Sequence, residues 1–249
     1  MRRLAAIVAV ALSSLAAPTL ADGLPADFVR LRDIDASIRQ DMRYVGAHNF
    51  VGRPIDGYVN GECWLTRPAA LALKGVQDDL RPLGLGLVVF ECYRPQRAVD
   101  HFVRWARDVN DIVTRAEFYP GVDKRDLFRL GYIAERSGHS RGSTVDVTLT
   151  GPGALPAQSY RPGQPLVACT APYGLRFADG GLDLGTGYDC FDPLSHPAST
   201  EVTATAQANR KLLAEAMAAR GFGGIPEEYW HFTYRPEPYP DSYFDVPVE

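Results

Sequence analysis

The stretch Ser137-Gly-His-Ser-Arg-Gly-Ser-Thr-Val-Asp146 tells more about the fold of this chain than any other segment. Gly142 lets the backbone turn sharply after His139. The alternating residues from 144 to 149 then predict a strand, with Asp146 on the side opposite its apolar neighbours. The turn and the strand together bring Asp146 back towards His139, so this stretch predicts a compact pair of potential metal ligands.

A second block, Glu228-Tyr-Trp-His231, lies in the aromatic-rich segment 229–234, which also reads as a strand. Two neutral imidazoles and one carboxylate make a three-ligand zinc site with a free position for water, so we expect zinc on His139, Asp146 and His231. Side chains alternate along a strand, and we therefore expect Glu228 at a bend before this one begins. A spare carboxylate in that place can move protons, a combination that hydrolyses amide bonds.

Taken one at a time, these four residues are also compatible with ordinary roles. The histidines could be polar residues without a ligand, Asp146 could brace the turn at Gly142, and Glu228 could be a solvated surface acid. The combination of the two blocks favours the metal site over these roles. The remaining histidines are interpreted as structural or surface residues: His48, His101 and His196.

Composition and charge narrow the class of protein. The chain has 249 residues, 46% of them hydrophobic and 22% charged, which is the balance of a globular protein of one sizeable domain or two small ones. The formal net charge of −4 argues against a nucleic-acid partner, which usually requires a basic surface. We find no repeat or linker that would divide the chain, so residues 22–249 are expected to form a single domain. The oligomeric state is left open.

The first residues read as an export signal. Met1-Arg-Arg is positively charged, residues 4–20 are apolar, and Thr19-Leu20-Ala21 offers the small residues that a signal peptidase reads. We expect residues 1–21 to be a signal peptide cleaved near Ala21, and the mature protein to be periplasmic with no membrane span. An uncleaved anchor is the alternative, but Ser13, Ser14 and Pro18 make this run a poor match to a hydrocarbon core about 30 Å thick.

Four cysteines fit an exported chain. Their even number predicts two disulfides, for which three pairings exist. We favour Cys63–Cys92 and Cys169–Cys190, which link each cysteine to its neighbour in sequence. A metal bound by cysteine is the alternative, and the lack of any Cys-x-x-Cys pair weakens it.

The remaining patterns predict an α+β fold, with a small, mostly antiparallel sheet and helices packed on it. Residues 37–44 could form an early strand, and residues 85–92 read as a buried one. Helices are predicted at 66–83, from Pro95 onwards, and at 203–220. Thr66 could cap the first helix, whose apolar side is formed by Ala70, Leu71, Leu73 and Val76. The second helix has an apolar stripe of Ala98, Phe102, Trp105 and Ala106. The third helix has Leu212, Leu213, Ala216 and Met217 facing inward. Residues 49–60 and 151–197 read as loops, the second long enough to be functional.

Several blocks resemble the D-alanyl-D-alanine dipeptidase family (the VanX type of the M15 zinc peptidases). The blocks are Ser-x-His-Ser-Arg-Gly-Ser-x-x-Asp at 137–146, Tyr-Arg-Pro-Gln-Arg-Ala at 93–98, Glu-x-Trp-His at 228–231, Asn49-Phe50 with Asp56-Gly57-Tyr58, and the tail from Glu237 to Pro247. They cover most of the chain after the signal. The wider M15 group shares only the metal blocks, so the Tyr-Arg-Pro block and the aromatic tail narrow the resemblance to the dipeptidases.

The resemblance implies zinc on the three residues named above and Glu228 as general base. It also implies Arg94 near the scissile carbonyl and Asp189 as the contact for the free amine of a dipeptide substrate. Without the resemblance, Arg94 would be read as a surface or salt-bridged arginine and Asp189 as a turn residue. The chain departs from the family at Gly138, where a second serine is common, and in its export signal, which the familiar resistance-associated members lack.

Three functions remain in competition. The first is an exported zinc dipeptidase that hydrolyses D-Ala-D-Ala during cell-wall turnover. The second is a related zinc D,D-carboxypeptidase or endopeptidase that cuts intact peptidoglycan peptides. The third is a zinc-stabilised wall-binding or signalling module without catalysis. A closed pocket beyond the amine contact favours the first of these and an open cleft the second.

Overall fold

The computed structural model describes residues 23–249. The predicted signal peptide and its cleavage site therefore lie outside the described residues. In chain order the elements are β1 (Phe28–Arg30), α1 (Leu31–Ile34), β2 (Arg39–Gln40), β3 (Trp64–Thr66), α2 (Arg67–Leu80), β4 (Gly86–Glu91), α3 (Gln96–Arg107), α4 (Arg115–Phe118), β5 (Thr144–Thr150), α5 (Ala204–Ala219), β6 (Phe222–Gly224) and β7 (His231–Tyr234).

A five-stranded sheet forms the centre of the protein, in the order β2-β4-β5-β7-β6. Only the short edge strand β2 runs parallel to its neighbour β4, and the other three pairs are antiparallel. Strands β1 and β3 make a separate antiparallel pair. The prediction of an α+β fold with a mostly antiparallel sheet is confirmed.

Helices α2 and α5 cover one face of the sheet. Their apolar residues Leu73, Val76, Leu213 and Met217 are fully buried, together with Val145, Val147 and Leu149 of β5. Because side chains alternate along a strand, Asp146 points to the opposite face of β5. Irregular segments cover that face, where Tyr188 stacks on Phe90 of β4 and contacts Asp146. Helix α3 belongs to a second, aromatic-rich cluster.

Two details of the predicted helix at 66–83 are wrong. Leu71 is 51% exposed rather than inward, because the sheet and α5 cover only the side of α2 that carries Ala70, Leu73 and Val76. Thr66 does precede the helix, but its hydroxyl pairs with Ser143 Oγ at 2.8 Å and caps no backbone amide.

The other predicted elements differ from the structure mainly in length. The predicted strand at 37–44 shrinks to two residues, followed by a 3₁₀ turn at Arg43–Val45, because the edge of the sheet pairs only Arg39 and Gln40. The helix after Pro95 and the helix ending before Gly221 are confirmed, as is the loop character of residues 151–197, which hold one short 3₁₀ turn.

Both favoured disulfides are present, Cys63–Cys92 and Cys169–Cys190. The first joins the residue before β3 to the residue after β4. The second lies wholly within the irregular part of the chain. Among the helices of residues 23–249, none combines the length and the apolar character that crossing a lipid bilayer requires.

Candidate active site

His139, Asp146 and His231 come together at one end of the central sheet. His139 lies in the 3₁₀ turn Gly138–Arg141, which Gly142 closes with a φ of +80°. Asp146 on β5 and His231, the first residue of β7, are directly paired across the two strands. The register of two antiparallel strands and one tight turn therefore fixes the cluster.

The three side chains point one atom each at a common centre. His139 Nε2, His231 Nδ1 and Asp146 Oδ1 lie 3.2 Å from one another in every pairing. A point equidistant from the three lies about 1.8 Å from each atom in their plane and farther above it, which suits zinc bonds of about 2.0–2.2 Å. Within residues 23–249, Asp146 Oδ1 is buried and has no hydrogen-bond partner. The donor set and its spacing therefore fit a divalent metal ion.

Contacts on the far side of the cluster orient the potential ligands. His139 Nδ1 lies 2.7 Å from the carbonyl oxygen of Cys92, to which it can only donate, so Nε2 keeps its lone pair for a metal. The hydroxyl of Tyr188 donates to Asp146 Oδ2 at 2.9 Å, which leaves Oδ1 free. Sequence reasoning missed both contacts, because a backbone carbonyl and a distant tyrosine leave no local pattern.

The electrostatics of the cluster also favour metal binding. Burial lowers the pKa of His231, so the imidazole is neutral and can act as a ligand. Burial alone would raise the pKa of Asp146, but the two neighbouring histidines outweigh it and lower this pKa, which keeps the carboxylate charged.

Glu228 lies in the turn before β7, where the alternation of strand side chains predicts it. Its Oε2 is 3.6 Å from His231 Nδ1 and its side chain is mostly buried. Burial raises the pKa of Glu228, and the carboxylates of Asp146 and Asp189 raise it further. A carboxyl group with a raised pKa, close to the ligand cluster, suits a group that takes up and returns a proton.

Arg94 borders the same site and is held by a carboxylate that the sequence analysis overlooked. Glu91, fully buried at the end of β4, accepts two hydrogen bonds from the Arg94 guanidinium, one of them from Nε at 2.7 Å. Tyr58 donates to the same carboxylate. A charged residue inside the apolar run 85–92 was the available signal for Glu91, because a buried carboxylate requires a partner.

Asp189 faces the site from the irregular segment 151–197. It is the one non-glycine residue of the described chain with a positive φ, +57°, and it is buried. The hydroxyl of Tyr44 donates to Asp189 Oδ2 at 2.9 Å. Burial raises the pKa of Asp189, and the Asp146 and Glu91 carboxylates add to the rise. A strained, buried carboxylate is typical of a functional position.

These groups line one cavity of about 170 Å³. Its lining includes all six residues predicted for the site: Arg94, His139, Asp146, Asp189, Glu228 and His231. None of the three histidines interpreted as structural lines it; His48, for example, contacts Glu117 at 2.8 Å instead. The cavity is small beside the roughly 300–1,000 Å³ of pockets for drug-sized ligands, so it suits a small substrate.

Lack of space for a side chain explains why this chain has glycine at position 138, where the family often carries serine. A Cβ atom at this position would lie 2.8 Å from Thr144 Oγ1, closer than carbon atoms of folded proteins approach. Thr144 cannot easily move aside, because its hydroxyl is paired with Thr233 at 2.9 Å. A serine at 138 would therefore require Thr144 to shift and would disturb its hydrogen bond with Thr233.

Comparisons with known proteins agree with the family that the sequence blocks resemble. The family model described as D-ala-D-ala dipeptidase, of the M15 peptidases, matches residues 25–156 and 174–249. A D-alanyl-D-alanine dipeptidase of Streptomyces coelicolor is 38% identical over 89% of this chain and 98% of the relative. The corresponding protein of Enterococcus faecalis is 34% identical, with the same two coverages.

A more distant D-alanyl-D-alanine dipeptidase, from Escherichia coli, is 28% identical over 83% of each chain. Among solved structures, a vancomycin resistance D,D-pentapeptidase VanY in complex with Zn(II) matches 72% of this chain and 77% of its own, at 14% identity and a TM-score of 0.37. A structural similarity this low adds nothing to the assignment.

Proposed function

Since this chain belongs to the D-Ala-D-Ala dipeptidase family of M15 peptidases, we propose that it is a zinc-dependent enzyme that hydrolyses D-Ala-D-Ala. One observation carries the proposal: three converging donor atoms, a carboxyl group beside them and a mostly buried arginine line the same small cavity. These are the groups that hydrolysis of an amide requires.

His139, Asp146 and His231 would hold the zinc ion. When bound, zinc lowers the pKa of a water molecule towards about 7 and polarises a carbonyl group. Glu228 takes the proton of the attacking water and later returns it to the leaving amine. Its position beside His231 would keep it within reach of a water molecule at the metal site.

Arg94 stabilises the negative charge that develops on the carbonyl oxygen. The guanidinium is permanently charged, and Glu91 fixes its plane through two hydrogen bonds, so its free edge keeps one direction during the reaction. Ser137 Oγ accepts a further hydrogen bond from Arg94 Nη1 at 3.3 Å. Little reorganisation is needed when the charge forms.

Asp189 would bind the free amine of the substrate, which favours dipeptides over longer peptides. A longer peptide places an uncharged amide against this buried carboxylate and leaves its charge without a partner, which weakens binding. The small volume of the cavity also favours dipeptides over longer peptides. The alternative is a D,D-carboxypeptidase or endopeptidase acting on intact peptidoglycan peptides, which would need room beyond Asp189.

Incubating the purified, zinc-loaded protein with D-Ala-D-Ala, and separately with a wall-derived pentapeptide, separates these functions. We expect release of free D-alanine from the dipeptide and little or none from the pentapeptide. Faster cleavage of the pentapeptide would favour the carboxypeptidase or endopeptidase. Cleavage of neither peptide by a protein that binds zinc would favour a wall-binding module without catalysis.

We further infer that the enzyme acts in the periplasm, on D-Ala-D-Ala released during wall turnover. The charged and apolar pattern of residues 1–21 supports export, and two disulfides are stable in an oxidising compartment. Sequencing the amino terminus of the protein recovered from a periplasmic extract tests the inference. A start near residue 22 is expected, and an intact Met1 on protein confined to the cytoplasm would contradict it.

A further inference from the structure

Each disulfide of this protein has one cysteine beside the candidate active site. Cys92 directly follows Glu91, the partner of Arg94, and Cys190 directly follows Asp189. All four cysteines are buried. Both bridges are therefore buried disulfides. The contacts around each bridge show which part of the site it holds in place.

The Cys63–Cys92 bridge holds the carbonyl group that orients His139. Cys92 lies just beyond the last residue of β4, where the pairing with β5 is already irregular between Val89 and Glu91. The bridge ties this end to the start of β3, and the amide of Tyr93 donates to the Trp64 carbonyl at 2.9 Å beside it. The carbonyl oxygen of Cys92 then accepts the hydrogen bond from His139 Nδ1 at 2.7 Å.

We propose that the Cys63–Cys92 disulfide is a positioning device that raises the affinity of the site for its metal. The inference rests on the metal site proposed above. Without the bridge, the end of β4 loses its covalent link to β3, and the Cys92 carbonyl no longer holds the His139 ring in one orientation. Loss of a group that orients a metal ligand typically lowers metal affinity about 10- to 100-fold.

The second disulfide provides a matched control. The two bridges span similar sequence separations, 29 and 21 residues, so removing either relaxes the unfolded chain to a similar degree. Cys169–Cys190 holds the segment of Tyr188 and Asp189, and the Cys169 carbonyl accepts a hydrogen bond from the Gly187 amide at 2.9 Å. This segment reaches a potential metal ligand only through the hydroxyl of Tyr188, two residues from the bridged Cys190, whereas the carbonyl that orients His139 belongs to the bridged Cys92 itself. Loss of the second bridge should therefore weaken metal binding less than loss of the first, and it should mainly affect substrate binding.

The experiment compares Cys63→Ala/Cys92→Ala with Cys169→Ala/Cys190→Ala. Zinc dissociation constants are measured by competition with a chromophoric chelator, alongside the thermal midpoint of the metal-free proteins and the kcat and KM of the zinc-saturated ones. We expect both variants to melt at lower temperature. The first should bind zinc about 10- to 100-fold more weakly than the wild type, whereas the second should lose clearly less zinc affinity and raise KM.

Equal zinc affinity in the wild type and in the first variant would overturn the inference. Equal losses of zinc affinity in both variants would also overturn it, because such losses would follow from general destabilisation. Failure of the proposed metal site is recognised separately, because the wild type itself would then bind zinc no better than His139→Ala. If the first double variant does not fold, Cys63→Ala alone breaks the bridge while keeping the Cys92 side chain, and the same affinity measurement decides.

Discussion

Three reactive groups of the site are held by contacts on the side away from the cavity. His139 is oriented by the Cys92 carbonyl and Asp146 by Tyr188, while Arg94 is fixed by Glu91. Such contacts reduce the number of orientations that each side chain can adopt, so less order has to be created when substrate binds. The chemical roles of single residues can therefore be tested one at a time.

Glu228→Gln should separate catalysis from metal binding. The amide cannot take a proton from water, so kcat should fall by about 10²- to 10⁴-fold, while zinc affinity stays near that of the wild type. Metal content and steady-state kinetics measure the two effects. Glu227→Gln, next in sequence and outside the cavity lining, is the control and should change neither. Undiminished turnover in zinc-loaded Glu228→Gln would remove Glu228 as the general base.

Arg94→Ala should depress kcat by about 10²- to 10³-fold, as loss of one donor to a developing oxyanion does, with a smaller change in KM. Arg97→Ala is the matched control, because Arg97 follows in the same block but pairs with Asp245 at the surface. Steady-state kinetics on D-Ala-D-Ala check both variants. A change confined to the KM of Arg94→Ala would instead identify a residue that only binds substrate.

The KM for D-Ala-D-Ala should rise as the pH falls. Burial raises the pKa of Asp189, so acid converts it to the neutral carboxylic acid at a higher pH than an exposed aspartate and removes the charge that attracts the ammonium group. Kinetics across a range of pH check this. Asp189→Asn should have a high KM at every pH, with the acid-side dependence of KM lost. An unchanged profile in that variant would exclude Asp189 as the amine contact.

At the scale of elements, the helices are placed by the faces that they bury. Helix α2 packs on α5 and the sheet through Leu73 and Val76, whereas Leu71, two positions away from Leu73, projects into solvent. Hydrophobic residues in a helix therefore do not all contribute to stability. The residues that stabilise the protein are those on the side of the helix that faces the sheet and the neighbouring helix.

Two substitutions on α2 measure this difference directly. Leu73→Ala should lower the free energy of unfolding by about 2–5 kcal/mol, because it removes fully buried atoms and leaves a cavity. Leu71→Ala should change it by less than about 0.5 kcal/mol, because the side chain is half exposed. Urea unfolding with both disulfides intact gives the two values. Similar losses in both variants would mean that Leu71 is covered in solution.

At the scale of the whole molecule, the site lies where the two apolar clusters meet. The sheet with α2 and α5 supplies one cluster and the aromatic residues around α3 supply the other. Ligands from a turn and two strands converge there, while Arg94 comes from the segment before α3 and Asp189 from the long loop. A metal ion bound at this place would link parts of the chain that are distant in sequence, and it would stabilise their common fold.

Removing the metal should therefore lower the melting temperature. At zinc concentrations about 1,000 times the dissociation constant, binding stabilises the native state by about 4 kcal/mol, which for a chain of this length corresponds to a shift of roughly 8–16 °C. Calorimetry with zinc and then with EDTA measures the shift, and His139→Ala should abolish it. An equal shift in that variant would mean that zinc acts elsewhere.

The sequence alone predicted the α+β class, both disulfides, the α3 stripe and six of the residues that line the cavity. Most of these features follow from patterns within short segments. The blocks at 93–98, 137–146 and 228–231 indicated the family, and the resemblance to it supplied Arg94 and Asp189. Only the tertiary structure revealed that Glu91 holds Arg94, that the Cys92 carbonyl orients His139 and that Leu71 is exposed. The physical reason is that periodicity records which residues share a face, while the partner across that face comes from a distant part of the chain and is fixed only when the elements pack.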